Sequence, residues 1–171
     1  IVLQSITANP QPSDVLKPAT RRNLSVPVNT PTKVKTLGAG VSLEYRFNKG
    51  FYANVNGSYD DLQDVPEGFI TNFNSPNFRA NIVAGNNGLG KGGRIGFSIA
   101  YRWSDTFYYE SDLANGFVPA FHNLDAQVSY KFPEIKSLIR FGANNILNQY
   151  YTNAIANPSI GGLSYVAFGY N

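Results

Sequence analysis

The sequence predicts an all-β chain, an antiparallel sheet that crosses a membrane as a β-barrel. Three observations carry this. Aromatic residues are abundant and charges few: 14% of the 171 residues are aromatic and 15% are charged, against roughly 25% charged in ordinary soluble domains. Apolar and polar residues alternate along seven stretches, the period-two signature of strands with one apolar face. The connections between those stretches alternate between short and long, as they do at the two ends of an outer-membrane barrel.

The elements follow in chain order. Ile1 to about Ile6 reads as the tail of one strand. From Leu37 to Phe47 the odd positions are Leu37, Ala39, Val41, Leu43, Tyr45 and Phe47, with Gly38, Gly40, Ser42, Glu44 and Arg46 between them. After the turn signal Asn48-Lys49-Gly50, Phe51, Ala53, Val55 and Tyr59 share one face and Tyr52, Asn54, Asn56, Ser58 and Asp60 the other. Phe78, Ala80, Ile82 and Ala84 then oppose Asn77, Arg79, Asn81 and Val83. Ile95, Phe97, Ile99, Tyr101 and Trp103 oppose Arg94, Gly96, Ser98, Ala100 and Arg102. Leu124, Ala126, Val128, Tyr130 and Phe132 oppose Asn123, Asp125, Gln127, Ser129 and Lys131. Ile139, Phe141 and Ala143 oppose Arg140, Gly142 and Asn144, and Val166, Phe168 and Tyr170 oppose Tyr165, Ala167 and Gly169. Short connections lie at Asn48–Gly50, Asn86–Gly93 and Pro133–Lys136; long ones lie at about 8–32, 61–75, 105–119 and 148–160.

Composition closes off other classes. Mean hydropathy is −0.22 and no eighteen apolar residues run together, which excludes a transmembrane helix. Aromatic and branched residues are too plentiful for disorder. The absence of Cys excludes disulfide scaffolds, thiolate metal sites and cysteine nucleophiles. With no Met, Ile1 is not a translated start, so the chain reads as a processed form or a fragment. A net charge of +3 is too small to argue for nucleic acid.

A soluble β-sandwich also alternates. Against it, the polar face carries Arg, Asn and Asp at a density suited to a wet lumen. The apolar-face aromatics Tyr45, Phe47, Phe51, Tyr59, Tyr101, Trp103, Tyr130 and Phe132 gather near strand ends, as interfacial girdles require. Eight strands at about 21 residues each account for the 171 residues. They close alone into a small barrel or form the last third of a 22-stranded one. The small Gly38, Gly40, Ser42, Asn54, Asn56 and Ser58 on the lumen side favour the larger.

The C-terminal end adds a resemblance. Ile139–Tyr151, with Asn144-Asn145 followed by Tyr150-Tyr151, resembles the penultimate strand and loop of TonB-dependent outer-membrane receptors. Pro158–Asn171 resembles their closing strand, whose outward Val166, Phe168 and Tyr170 would form the C-terminal assembly signal. Val118-Pro119-Ala120-Phe121, leading into Leu124–Tyr130, looks like the strand before. The resemblance covers roughly residues 33–171. It implies that residues 1–171 are the C-terminal portion, about the last eight strands, of a 22-stranded antiparallel barrel with a plug domain and a TonB box. Neither of those is among these residues, and the closing strand stops at Asn171, where the family usually has a further aromatic; truncation at both ends is the expectation.

The implied function is TonB-dependent import of a scarce nutrient (siderophore, oligosaccharide, peptide or similar) across a Gram-negative outer membrane, with long loops extracellular and short turns and C-terminus periplasmic. The implied partners are outer-membrane lipid, TonB through a preceding region, a surface lipoprotein, and a small-molecule or oligomeric nutrient. Nucleic acid is not among them. A small eight-stranded barrel serving as anchor or adhesin is the alternative.

No enzyme, catalytic residue, metal or cofactor is expected. Gly85–Gly92 nearly spells a phosphate-binding loop, yet Gly92 stands where Ser or Thr is needed and a strand follows instead of a helix. His122 with Ser104 or Ser129 and Asp125 has no spacing that unites a triad. Asp60, Asp61 and Asp64 lack the glycine and distal Glu of a calcium loop. Two features keep a functional reading open. Phe107, Tyr108, Tyr109 and Glu110 are candidate ligand contacts that equally suit a barrel rim. Arg46, Arg79, Arg94, Arg102 and Arg140, with Lys131, face inward beside Glu44, Asp60 and Asp125; they suit anionic cargo or an acidic plug surface, and equally a cross-strand ion-pair network.

Overall fold

The computed structural model describes residues 2–5, 23–26, 33–65, 71–111 and 114–170. Every paired strand among them runs antiparallel. Two short strands come first, β1 (Val2–Ser5) and β2 (Asn23–Val26), paired with each other. Then follow β3 (Lys35–Arg46), β4 (Phe51–Gln63), β5 (Phe78–Leu89), β6 (Ile95–Ser104), β7 (Phe107–Tyr109), β8 (Gly116–Val118), β9 (Phe121–Phe132), β10 (Ser137–Asn144) and β11 (Leu163–Tyr170). Seven of them form one sheet in the order β11-β10-β9-β6-β5-β4-β3, while β7 and β8 make a separate hairpin between β6 and β9.

The alternation in sequence becomes two chemically different faces because the ladders keep their register. Leu43 pairs with Val55, Val55 with Ile82, Ile82 with Tyr101 and Tyr101 with Leu124. A second row runs Val166, Phe141, Val128, Phe97. A one-residue slip anywhere would turn such a row over. Turns at one end hold the phase. Lys49 and Gly50 both adopt positive φ, 62° and 79°, the left-handed pair that tight hairpins require. Lys136 at φ 50° closes the Pro133–Ile135 turn, its N–H donating to the Pro133 carbonyl at 3.2 Å.

The apolar face is uncovered. Val41 is 70% exposed and Phe168 70%, and Leu43, Val55, Ile82, Ile99, Val128, Phe141 and Val166 are all exposed. Among the described residues the buried apolar side chains are Phe107, Val118 and Ala154, none of them on this face of the sheet. A sandwich would bury these strands against a second sheet about 10 Å away. Among the described residues no such layer covers them.

Several sequence expectations are corrected. The sheet does not close: its edges are β3 and β11, and they do not pair with each other. Seven strands, not eight, join it. The first expected strand is seen as β1, which pairs with β2 instead of the sheet; Ile1 and Ile6 lie outside the described residues, as does most of the expected 8–32 connection. The Asn86–Gly93 connection is shorter than expected, since β5 continues through Leu89 with a shift in register between Asn86 and Leu89. The expected loop 105–119 contains the β7–β8 hairpin. No helix among the described residues is long and apolar enough to cross a membrane.

Candidate functional site

The polar face is organised by hydrogen bonds across strands. Asn81 Nδ2 donates to Asn56 Oδ1 at 2.8 Å, and Asn56 Nδ2 to Asn54 Oδ1 at 3.1 Å. Tyr165 Oη donates to Gln127 Oε1 at 3.0 Å. Four of the five predicted inward arginines have carboxylate partners. Arg46 meets Glu44 at 2.8 Å, Arg79 meets Asp60 at 2.5 Å, Arg102 meets Asp125, and Arg94 meets Glu134. Arg140 has no carboxylate partner among the described residues. Arg79–Asp60 and Arg102–Asp125 are pairs of the expected cross-strand kind; Arg46–Glu44 lies within β3, Arg94–Glu134 joins two turns, and Arg140 is left over.

Arg94 and Glu134 sit in the short turns beyond the strand ends. The Arg94 guanidinium is held above its ordinary value, first by a side-chain hydrogen bond with Tyr130 and then by Glu134. The Glu134 carboxyl is held below its ordinary range, first by its own backbone N–H and then by Arg94. Both groups face water, so this tie fixes turn geometry more than it stabilises the fold.

At the other end, the long loops are tied down rather than open. Glu110 Oε2 accepts from Thr71 N at 3.0 Å, Thr71 Oγ1 at 3.0 Å and Asn72 N at 3.1 Å. Asn74 reinforces this: its Nδ2 donates to the Glu110 carbonyl at 2.8 Å, and its Oδ1 accepts from Glu110 N at 2.7 Å. Glu110 thus clamps the β4–β5 loop to the β7–β8 hairpin, and its carboxylate is committed to that task. Of the three neighbouring aromatics, Phe107 is buried, Tyr109 half-buried, and Tyr108 exposed in an edge-on pair with Phe117, ring centroids 5.1 Å apart. Only Tyr108 offers a ring to solvent.

The β10–β11 loop folds back over β9 through Asn145. Its backbone N–H donates to Asp125 Oδ1 at 2.8 Å, its Nδ2 to the Gln149 carbonyl at 2.7 Å, and its Oδ1 accepts from Gln149 N at 3.1 Å. Farther on, Tyr151 stacks on Phe121 with centroids 4.4 Å apart. Asn145 is 3% exposed. Sequence reasoning singled it out by resemblance and gave it no role; its structural role is to staple this loop.

The remaining candidates resolve individually. His122 pairs with Trp103 across the ladder, and its Nε2 accepts from Gln149 Nε2 at 3.0 Å. Asp125 is spent on Arg102 and Asn145, and Ser104 Oγ donates to the Asp105 carbonyl at 3.4 Å, so these groups form no catalytic relay. Asp60 holds Arg79, Asp64 holds Lys35 at 2.5 Å, and Asp61 accepts from Gln63 and Asn77 at 3.2 Å each; the three are not gathered on one point. The glycine-rich segment forms the end of β5 and a single 3-10 turn, Lys91–Gly93, with no helix after it.

The girdle residues fall at the two ends of the apolar face. Tyr45 and Phe47 (centroids 4.6 Å), Phe51 and Phe97 (6.3 Å), and Tyr130 and Phe132 (4.7 Å) pair at the short-turn end. Tyr59 packs on Phe78 (4.7 Å) and Tyr101 on His122 (6.0 Å) at the long-loop end, where Trp103 also lies. Asn86 sits between Phe51 and Phe97 in the ladder and is fully buried, its Nδ2 donating to the Lys49 carbonyl at 2.8 Å. No protein-family model matches the chain, and no curated protein matches it.

Proposed function

We propose that this chain is the C-terminal part of the β-barrel of a TonB-dependent outer-membrane receptor, importing a scarce nutrient across a Gram-negative outer membrane. The observation that carries the membrane assignment is the uncovered apolar face, running unbroken across seven strands and bordered at both ends by aromatic residues. In water such a surface is far larger than the few hundred Å² a soluble monomer usually exposes; in a bilayer it is the surface that meets hydrocarbon. The opposite face, with its Asn ladder and ion pairs, suits a water-filled interior.

The open edges favour a larger barrel. An unpaired strand edge in hydrocarbon leaves N–H and C=O groups unsatisfied at several kcal/mol each, so spanning sheets must close. A larger barrel would supply strands to pair with β3 and β11, the two edges of this sheet. The receptor assignment itself rests on the resemblance of Ile139–Tyr151 and Pro158–Asn171, and transport, not bond chemistry, is the activity it implies.

The test has two arms. The full-length protein should fractionate with the outer membrane, migrate differently in gels before and after heating, and support nutrient uptake that is lost when TonB is inactivated. The 171-residue piece expressed alone should give no heat-modifiable, protease-resistant species. A native polypeptide near 18.7 kDa that folds into a barrel by itself would replace this reading with the small-barrel anchor.

A further inference from the structure

Arg140, left without a carboxylate, is not isolated. With Lys131 and Lys136 it lines one hollow of about 570 Å³ at the short-turn end of β9, β10 and β11. Space opens there because Arg140 pairs with Ala167 and Leu138 with Gly169 in the ladder, so two long side chains stand opposite two that scarcely rise from the sheet. A Cβ on Gly169 would meet nothing nearer than the Leu138 carbonyl at 4.0 Å. Among the described residues no carboxylate forms an ion pair with any of the three cations. Glu134, the nearest acid in sequence, is engaged by Arg94.

A second hollow provides the contrast. It has the same volume, about 570 Å³, lies at the same end of β3 and β4, and is lined by Glu44 together with Arg46. There the charges cancel. Of these two hollows, the one at β9–β11 has cations and no acid in its lining. A planar guanidinium offers an oxyanion a two-pronged fork, and Lys136 adds an ammonium to the same lining. Lys131 also borders the hollow, but its ammonium donates to the Asn87 carbonyl on β5 at 2.9 Å, away from β10 and β11.

We infer that this hollow is an oxyanion site that takes a phosphate group, held by Arg140 with Lys136. The inference goes beyond nutrient import, and because the hollow lies at the short-turn rim, where Phe132 and Phe168 of the apolar face also line it, it does not depend on that reading. Two sources can present the group, free phosphate or a lipid headgroup.

The experiment uses the full-length protein in a neutral detergent, first shown to be heat-modifiable, so that failure of the membrane reading registers separately. Labelled inorganic phosphate is titrated in one arm, and mixed micelles containing phosphatidylglycerol in a phosphate-free buffer in the other. Saturable binding in either arm is expected, and the arm in which it occurs identifies the source. Arg140→Ala should weaken it by about tenfold or more, the loss typical of a charge-assisted bond. Lys136→Gln, on an exposed turn where folding is least disturbed, should weaken it several-fold. Arg46→Ala, which alters the neutral hollow, should leave it unchanged. An absence of saturable binding in both arms overturns the inference, and so does binding that Arg140→Ala and Lys136→Gln leave intact.

Discussion

Tyr165 reaches from β11 across Gly142 on β10 to donate to Gln127 on β9, tying three strands with one side chain. The ring occupies the space above the glycine: a Cβ on Gly142 would lie 2.4 Å from Tyr165 Cζ and Oη. Gly85 and Tyr52 repeat the arrangement on the same face, with a Cβ placed 2.6 Å from Tyr52 Oη. Gly142→Ala should therefore expel the ring, costing about 1–3 kcal/mol as overpacking does, whereas Tyr165→Phe should cost about 1 kcal/mol for the lost hydrogen bond. Urea unfolding of the lipid-reconstituted full-length protein reads both. Equal, negligible costs would contradict the packing described.

The two faces should respond oppositely to charge. Arg at Val41, Leu43, Phe97 or Ile99 is expected to cost about 2–4 kcal/mol near the bilayer midplane. Arg at Gly40 or Ser98 should cost far less; at Gly40 the nearest obstacle to a Cβ is the Gly57 carbonyl at 3.7 Å. Folding titrations into lipid vesicles compare them. Equal penalties on both faces would remove the assignment of the apolar face to lipid.

Proteinase K added to intact cells should cut within 64–77 and 105–119 and spare 86–93. Because Glu110 latches the first of these loops to the hairpin, Glu110→Ala should accelerate cleavage between Asp64 and Asn77 several-fold without changing heat-modifiability. Cleavage confined to the Lys91 turn would invert the topology.

Asn145→Ala removes two side-chain hydrogen bonds to Gln149 and should cost about 1–2 kcal/mol locally. Hydrogen exchange should quicken in the β10–β11 loop while β10 and β11 themselves stay protected. Uniform loss of protection throughout the sheet would mean that the residue supports more than its loop.

Acid should loosen one short turn. The Glu134 carboxyl is depressed, so its contribution is present above the ordinary carboxylate value and is lost as pH falls through the lower, folded one. Between pH 5 and 8 the Arg94–Glu134 tie is expected to be constant, and below pH 4.5 it should weaken; NMR shifts of the Pro133–Lys136 turn would follow it. Because both groups are exposed, the whole sheet should not unfold with it.

The strands were legible because their signal is local. From Leu37 to Phe47, from Ile95 to Trp103 and from Leu124 to Phe132, period two alone identified each face, and the observed ladders keep those phases. What sequence could not supply was anything fixed by pairing at a distance. Gly142 read as a small polar-face residue and Gly85 as the start of a near-match to a phosphate loop, until register set Tyr165 and Tyr52 over them. Glu110 read as a ligand contact, since nothing near it announces Thr71, 39 positions away. The arginines read as one basic set; a neighbour on the same strand pairs Arg46, diagonal neighbours across strands pair Arg79 and Arg102, an adjoining turn pairs Arg94, and Arg140 is left over. The β7–β8 hairpin was missed because three-residue strands are too short for alternation to register, and closure was expected from composition that carries no information about edges.

The order of strands in the sheet is also their order along the chain, interrupted only where β7 and β8 pair between themselves before β9 returns to β6. Apart from β6 and β9, each pair of neighbouring strands in the sheet is joined by a single connection, and a shorter connection costs less entropy to close. Growth can start at any turn, Asn48–Gly50 or Pro133–Lys136 alike, and advance by adding the next hairpin to an existing edge. The β7–β8 hairpin shortens the connection between β6 and β9 by drawing Phe107 to Val118, so that those two strands meet almost as readily as strands joined by a shorter loop. The bond from Glu110 back to Thr71 needs the hairpin and β4–β6 already in place. That latch closes last, which makes the outer loops the final part of this sheet to set and the first to come free.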